Sequence, residues 1–157
     1  MNKRARTIII SGAVAAIGLI ILFSTYMLFN PKPPGMTITV DNHSYKAGYG
    51  SYNGRLPDGT FYGADVASSY TMPKETIQVS EGSEIKFSSE SWKRAELRQS
   101  WIVGQNAINQ FFLERVDYTT FRLPSDIPPG DYILTVYVVY DDSLVSIAYY
   151  HHKLQVS

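Results

Sequence analysis

Hydrophobic and polar positions alternate over much of this chain, but one stretch near the N-terminus is apolar throughout. Residues 8–29 read IIISGAVAAIGLIILFSTYMLF and contain no charged side chain. A helix of about twenty apolar residues, with about 1.5 Å of rise per residue, matches the roughly 30 Å hydrocarbon thickness of a bilayer. This stretch therefore predicts a transmembrane helix.

The residues on either side of this stretch predict its orientation. Lys3, Arg4 and Arg6 precede it, and the first acidic residue of the chain is Asp41. Because basic residues favour the cytoplasmic side, residues 1–7 are predicted to be a cytoplasmic tail. Bulky side chains end the apolar stretch where a signal peptidase requires small ones, which favours an uncleaved signal anchor over a cleaved signal peptide. The sequence thus predicts a single-pass protein of the cell membrane with an extracytoplasmic domain.

Short runs of strand-forming residues, separated by glycine and proline turns, fill the rest of the chain. Residues 30–36 contain three prolines and one glycine and predict an extended spacer. This leaves residues 37–157 as one domain, of ordinary size for a single core. Residues 37–40 (TITV) predict a first strand, which ends in a turn at Asp41-Asn42.

Two pairs of later segments predict β-hairpins. Residues 77–79 and 84–87 alternate apolar and polar side chains around a glycine turn, which predicts a hairpin with one buried face. Residues 132–140 (YILTVYVVY) are almost entirely β-branched or aromatic, as expected of a central strand covered on both faces. Residues 144–156 are predicted to form a second strand that runs antiparallel beside them. The pattern favours an all-β, antiparallel β-sandwich of immunoglobulin-like type.

Residues 90–115 leave two alternatives open. The many helix formers in this region fit a helix, and apolar side chains over residues 108–115 have a spacing that predicts one or two helical turns. A strand would instead place four apolar side chains on one face: Ala95, Leu97, Trp101 and Val103. We expect a strand for the first part of the region.

Glycine and tyrosine dominate residues 46–72, which show no sustained period and predict a long loop. Such loops are usually functional or disordered, and the aromatic content argues against disorder. Tyrosine offers a large contact area and a hydroxyl at low entropic cost. The alternative is that the rings fold back over the open end of the sandwich and complete its core. We predict that the loop binds a partner through five aromatic side chains: Tyr49, Tyr52, Phe61, Tyr62 and Tyr70.

Composition narrows the classes of ligand. Residues 32–157 carry 11 basic and 14 acidic side chains. This balance argues against nucleic acid, because proteins that bind nucleic acids neutralise phosphates with lysine and arginine. The chain has no cysteine, which excludes disulfides, thiol chemistry and cysteine-ligated metal sites. No cofactor motif is present, and no cofactor is predicted.

Catalytic and metal-binding constellations are sparse. Asp58 and Asp65 could act as the paired carboxylates of a glycan hydrolase, although an aspartate before a glycine usually stabilises a turn. His151 and His152 are adjacent, so on a strand they point to opposite faces and cannot chelate one ion, with or without His43. The sequence therefore predicts neither a catalytic residue nor a metal ligand.

Four short segments of the chain carry a resemblance: Gly50-Ser51-Tyr52-Asn53, Ala64-Asp65-Val66-Ala67-Ser68, Val79-Ser80-Glu81-Gly82 and Pro129-Gly130-Asp131-Tyr132. They resemble segments of a group of small, uncharacterised envelope proteins of Bacillus-type Firmicutes. The resemblance implies a membrane-anchored or lipid-attached extracytoplasmic β domain over most of residues 37–157, and no particular activity. Asn53-Gly54 stands where the group commonly has tryptophan, and the cysteine needed for lipid attachment is absent.

The function predicted from these features is that of a non-enzymatic binding or accessory module of the cell envelope. Its loops would contact another envelope protein or a cell-wall polymer at the outer face of the membrane. Two alternatives remain: a wall-glycan hydrolase that uses Asp58 and Asp65, and a small subunit of a membrane complex that acts through its transmembrane helix. Small residues four apart would allow two such helices to pair, but glycine and alanine are also common in unpaired spans.

Overall fold

Two compact units make up the chain, residues Met1–Lys32 and Pro33–Ser157. The computed structural model describes the following residues: 12–22, 24, 32–56, 58–65, 72–90, 95–104, 109–141 and 145–157.

The first unit contains a short helix over residues 12–22, and residue 24 is also helical. Among the described residues, no helix is long and apolar enough to cross a membrane. This contradicts the transmembrane helix predicted for residues 8–29 and the cell-membrane localisation derived from it. The predicted cytoplasmic tail and both ends of the predicted span lie outside the described residues.

The second unit is built from β-strands. In chain order, the strands of the described residues are β1 (Met36–Val40), β2 (His43–Lys46), β3 (Gly48–Arg55), β4 (Phe61–Ala64), β5 (Thr76–Val79), β6 (Glu84–Ser89), β7 (Ala95–Gly104), β8 (Gln110–Phe112), β9 (Glu114–Arg115), β10 (Thr120–Arg122), β11 (Gly130–Tyr140) and β12 (Val145–Val156).

These strands form two sheets around one hydrophobic core. The first sheet has the order β2-β1-β6-β10-β9, and the second has the order β4-β3-β12-β11-β7-β8. β5 also belongs to the second sheet, where it pairs with the last residues of β12. This pair is parallel, and the other pairs of the described strands are antiparallel. The predicted all-β, mainly antiparallel architecture is confirmed.

Strand β1 follows the alternation of its sequence. Met36, Ile38 and Val40 are buried in the core, whereas the two residues between them are half-buried. Asp41 and Asn42 then make a two-residue turn, and both have positive φ, 48° and 63°. Aspartate and asparagine tolerate this conformation, which two-residue hairpins of type I′ require. The predicted first strand and its turn are therefore confirmed.

The predicted hairpin of β11 and β12 is also confirmed, and it lies in the middle of the second sheet. On one face of β11, Leu134, Val136 and Val138 are fully buried in the core. On the other face, Ile133 and Tyr137 are half-buried. The prediction that this strand is covered on both faces is therefore wrong, and the hydrophobic residues of its outer face are in contact with water.

The two segments predicted to form a hairpin around Gly82 belong to different sheets. β5 pairs with β12 in the second sheet, whereas β6 pairs with β1 and β10 in the first. Both strands bury residues in the same core, and Ile77 and Ile85 are fully buried. Alternation shows which face of a strand is buried but not which sheet the strand joins. The strands are thus as predicted, but their pairing is not.

Residues 46–72 do not form a long loop where the structure describes them. β3 and β4 are an antiparallel hairpin, and the turn between them is closed by the Leu56 N–H, which donates to the Thr60 carbonyl oxygen at 2.9 Å. Gly50 of β3 has a packing role, because a Cβ atom at this position would clash with Nε2 of His151. Gly50, one of the glycines that predicted a loop, instead lets β3 lie close to a side chain of β12.

Strand β7 confirms the strand expected for residues 95–104, but its faces differ from the prediction. Its register with β11 shifts next to Arg98, which marks a β-bulge. The extra residue reverses the alternation, so Leu97 is buried in the core whereas Trp101 lies on the opposite face. β8 and β9 are strands where the sequence predicted helical turns.

Candidate ligand-binding face

Four aromatic side chains form a continuous strip on the outer face of the second sheet, the face turned away from the core. The ring centroid of Trp101 lies 6.4 Å from that of Phe112 and 6.3 Å from that of Tyr149. Tyr149 and Tyr137 stack at 5.1 Å, with 25° between their ring planes. These separations are typical of favourable aromatic pairs. This strip is called the aromatic face below, and it consists of Trp101, Phe112, Tyr137 and Tyr149.

The register of the strands places these rings side by side. Trp101 pairs with Phe112 across β7 and β8, and Tyr137 pairs with Tyr149 across β11 and β12. Directly opposed side chains of an antiparallel pair lie close together, which brings such rings into contact. Trp101 reaches this face because the bulge at Arg98 reverses the alternation of β7. Four hydrogen-bonded strands therefore position the rings.

The aromatic face is in contact with water. Phe112 is 52% exposed, and the other three rings are half-buried. Their inward neighbours Ile102 and Val136, by contrast, are fully buried. Four half-buried aliphatic side chains on the outer face of the same strands extend the apolar surface: Val103, Ile133, Val139 and Ile147.

A polar pair lies beside these rings. Oγ1 of Thr135 on β11 is 3.1 Å from Nδ1 of His151 on β12. Thr135 is also the strand partner of Trp101, so the pair borders the aromatic face directly. Burial lowers the pKa of His151, so its imidazole is neutral at pH 7. Thr135 is buried, so this hydrogen bond links β11 to β12 beneath the rings.

The tyrosines predicted to bind a partner line the β3–β4 hairpin. Tyr49 and Tyr52 pack against the core, with their ring centroids 5.9 Å apart, and Tyr62 lies 6.4 Å from Tyr52. Burial, with a smaller contribution from the neighbouring Tyr52, raises the pKa of Tyr62 to about 12. The structure thus brings these three residues together and gives two of them a packing role. Their predicted role in binding stays a prediction.

The other two members of the predicted site are separate from these rings. Phe61 is 74% exposed, and the guanidinium carbon of Arg55 lies 4.3 Å from the centre of its ring. This distance is typical of a cation–π contact. Tyr70 lies outside the described residues.

Of the two candidate carboxylates, Asp58 precedes β4 in the chain and Asp65 follows it. Asp58 accepts a hydrogen bond from the Thr60 N–H at 2.9 Å, and this bond lowers the pKa of its carboxyl. Asp65 accepts a hydrogen bond from Ser51 at 2.5 Å. A glycosidase needs one carboxylic acid with a raised pKa, opposite to the shift at Asp58. The glycan-hydrolase alternative therefore stays a prediction to which this geometry adds no support.

The three histidines lie in different environments. His43 is exposed in the β1–β2 hairpin, with Nδ1 3.0 Å from the carbonyl oxygen of Asp41. His151 lies on the outer face, whereas His152 is fully buried in the core. Among the residues that the structure describes, no group of three or more histidine, aspartate or glutamate side chains is placed to hold a metal ion.

The sequence pattern does not predict the aromatic face. The sequence feature that indicates this face is the run YILTVYVVY, in which every residue except one threonine is apolar or aromatic. A run of this kind is typical of a strand covered on both faces. Here the same run also supplies part of a surface that contacts water.

Comparisons with known proteins identify no family. No protein-family model and no curated protein sequence matches the chain. Neither result bears on the resemblance to small envelope proteins, which stays a prediction.

Among solved structures, the chain is similar to a protein described as a putative bacterial DNA binding protein from Bacteroides vulgatus. The sequence identity is 9%, the match covers 94% of this chain and 81% of that one, and the TM-score is 0.40. A similarity at this level carries no argument about function. The predicted partners were a membrane and an envelope protein or wall polymer, with nucleic acid excluded, and the description of that structure as a DNA binding protein differs from them. Those predictions are withdrawn, because the charge balance of a whole domain does not describe its local surfaces.

Proposed function

We propose that the β domain is a non-catalytic binding module whose partner contacts the aromatic face. The observation that carries this proposal is the strip of four rings in contact with water on the outer face of a sheet. Aromatic side chains are enriched at binding surfaces, and contiguous exposed apolar patches mark interaction sites.

Contact with this surface would release free energy through burial of the rings. Fully burying a large aromatic side chain removes roughly 150–250 Å² of surface from water, at about 25 cal/mol per Å². Because three of the four rings are already half-buried, each contributes part of this amount, on the order of 1–2 kcal/mol. The contributions of four rings favour association before the entropic cost of binding is subtracted.

The scaffold keeps the cost of ordering the rings low. Tyr137 and Tyr149 are stacked on each other, and Trp101 packs edge-on against Tyr149 at an interplanar angle of 75°. Side chains held in this way lose little freedom when a ligand binds. Sites on strands are also held more precisely than sites on loops.

We also propose that the two sheets have an immunoglobulin-like arrangement. An immunoglobulin-like arrangement is supported by two mainly antiparallel sheets around one core. The chain also passes from the second sheet to the first between β5 and β6, as connections in Greek-key sandwiches do. An experimental structure in which β5 and β6 pair with each other would contradict this assignment.

A binding screen with matched variants tests the proposed function. The immobilised full chain is exposed separately to neutral and anionic oligosaccharides, a peptide library, and single- and double-stranded DNA. We expect one class to bind, and Trp101→Ala to abolish that binding. Tyr118→Ala should leave it unchanged, because Tyr118 is 86% exposed in the β9–β10 turn, away from the aromatic face.

Two results would contradict the proposal. One is that no class binds the folded wild-type chain. The other is that Phe61→Ala abolishes binding and Trp101→Ala does not, which would favour the site predicted on the β3–β4 hairpin.

A further inference from the structure

Arg115 lies on β9 in the first sheet, yet its side chain reaches the edge of the second sheet. Nη2 of its guanidinium donates to the carbonyl oxygen of Leu97 and, at 3.0 Å, to that of Arg98. Both acceptors belong to β7, at the bulge that reverses its alternation. A side chain of one sheet thus bonds directly to the irregular backbone of the other.

The two acceptors are consecutive residues, which a regular strand would not permit. Successive carbonyl groups of a regular strand point to opposite edges, because successive residues make their ladder bonds on opposite sides. One nitrogen can contact two successive carbonyl oxygens only where the backbone departs from this alternation, as it does at a β-bulge. The contacts of Arg115 are therefore specific to the bulged form of β7.

The path of the chain explains why a side chain is needed at this edge. β8 pairs with residues 101–103 of β7, and the Leu113 N–H donates to the Ser100 carbonyl oxygen at 3.0 Å. The chain then leaves the second sheet, since β9 pairs with β10 in the first. Among the described strands, none pairs with this edge of β7 before Ser100, and the guanidinium of Arg115 takes that place.

The guanidinium is also held from its own sheet. Arg115 is the strand partner of Phe121, and its guanidinium carbon lies 5.2 Å from the centre of that ring. Phe121 is 2% exposed, so its ring is part of the core. Arginine can stack on a ring and donate several hydrogen bonds at the same time, and lysine does not reproduce this combination.

We infer that Arg115 is a positioning residue of the aromatic face, an inference that rests on the proposed function. Its bonds stabilise the bulge, and the bulge places Trp101 on the outer face. There Trp101 joins Phe112 to Tyr149 in the strip of rings. Without Arg115, β7 loses contacts that favour the bulged register, and Trp101 loses its fixed position between these two rings.

The circular dichroism of Trp101 tests this inference. Trp92 and Trp101 are the two tryptophans of the chain, so Trp92→Phe in the full chain leaves Trp101 as the only reporter. In this background, Arg115→Met removes the guanidinium and keeps an unbranched apolar stem. We expect the tryptophan signal in the near ultraviolet to fall by about half or more, because this signal requires fixed tertiary packing.

Two further variants separate positioning from stability. Arg122→Met is the matched control, because Arg122 lies on β10 and pairs with Glu84 at 2.6 Å within the first sheet. It should leave the signal of Trp101 unchanged. Arg115→Lys serves if Arg115→Met does not fold. Its stem is one bond shorter, so it should hold at most one of the two carbonyl oxygens and give an intermediate signal. Spectra are recorded well below the melting temperature of each variant.

The outcomes distinguish this inference from the proposed function. If folded Arg115→Met, or folded Arg115→Lys in its place, melts earlier but keeps the wild-type signal, Arg115 only stabilises the fold and the positioning role is overturned. The positioning role is also overturned if Arg122→Met reduces the signal equally. The binding module stands in both cases, because neither measurement involves a ligand. If the signal falls as expected but no class of ligand binds the wild type, Arg115 positions Trp101 and the proposed function is overturned.

Discussion

His152 is a fully buried core residue with an unsatisfied ring nitrogen. Its Nδ1 is 2.9 Å from the carbonyl oxygen of Lys153, and its ring packs edge-on against Tyr45 with centroids 5.8 Å apart. Nε2 has no hydrogen-bond partner among the described residues. We predict that His152→Leu stabilises the protein at neutral pH.

The size of the effect follows from opposing contributions. Leaving a buried polar atom unsatisfied costs about 1–3 kcal/mol, and leucine removes this cost and adds apolar burial. The substitution also removes the Nδ1 hydrogen bond, worth about 1 kcal/mol, and the ring contact with Tyr45, worth about 0.5–1.5 kcal/mol. The net gain is on the order of 1 kcal/mol, equivalent to a rise in Tm of about 4 °C.

The difference in stability between His152→Leu and the wild type should increase as the pH falls. Burial is the main cause that lowers the pKa of His152 in the folded state, and it outweighs the opposing hydrogen bond and the nearby charge of Glu75. Below about pH 6.5 the unfolded chain therefore binds more protons than the folded chain, and stability is lost. Each such histidine contributes at most about 1.4 kcal/mol per pH unit. The leucine variant does not lose stability through position 152 as the pH falls. Burial also lowers the pKa of His151, which therefore destabilises both proteins at low pH.

Urea unfolding of the wild type and His152→Leu at pH 7.5 and pH 5.5 measures both effects. His43→Gln is the matched control, because it removes an exposed histidine from the β1–β2 hairpin. The reasoning is refuted if His152→Leu is less stable than the wild type at pH 7.5. It is also refuted if the difference between the two proteins is the same at both pH values.

Two further predictions concern packing. Val136→Ala removes two methyl groups from a fully buried position and should lower the free energy of unfolding by about 1–3 kcal/mol, as chemical denaturation would measure. Tyr52→Ser should lower Tm by several degrees, because it removes a ring that packs against the core and contacts Tyr49 and Tyr62. An unchanged Tm for this variant would show that the ring does not support the fold.

The local features of the fold were predictable from sequence because neighbouring residues determine them. Asp41 and Asn42 tolerate the positive φ of a tight turn, and the alternation before them marks the first strand. The run YILTVYVVY likewise identifies β11 wherever it lies in the sheet. In these cases a few adjacent residues carry the information that specifies the structure.

The aromatic face was not predictable, because it depends on contacts between distant segments. Trp101 lies on the outer face because of a bulge that the register with β11 defines, and nothing in its own neighbourhood marks that bulge. Tyr137 lies in a run that is typical of a strand covered on both faces, and the arrangement of the sheets leaves its face of the strand in contact with water. Pairing between distant segments also separates β5 from β6, which their local alternation predicts to form one hairpin.

The position of β12 has a consequence for the order of assembly during synthesis. β12 follows all other described strands in the chain, yet it pairs with β3, β5 and β11. One of these pairs joins Gly48 to His151, a separation of about one hundred residues that favours slow folding. The ribosome must therefore release nearly the whole domain before the second sheet can close. Until then β3, β5 and β11 expose unpaired backbone edges, which makes this interval the period of greatest risk of aggregation.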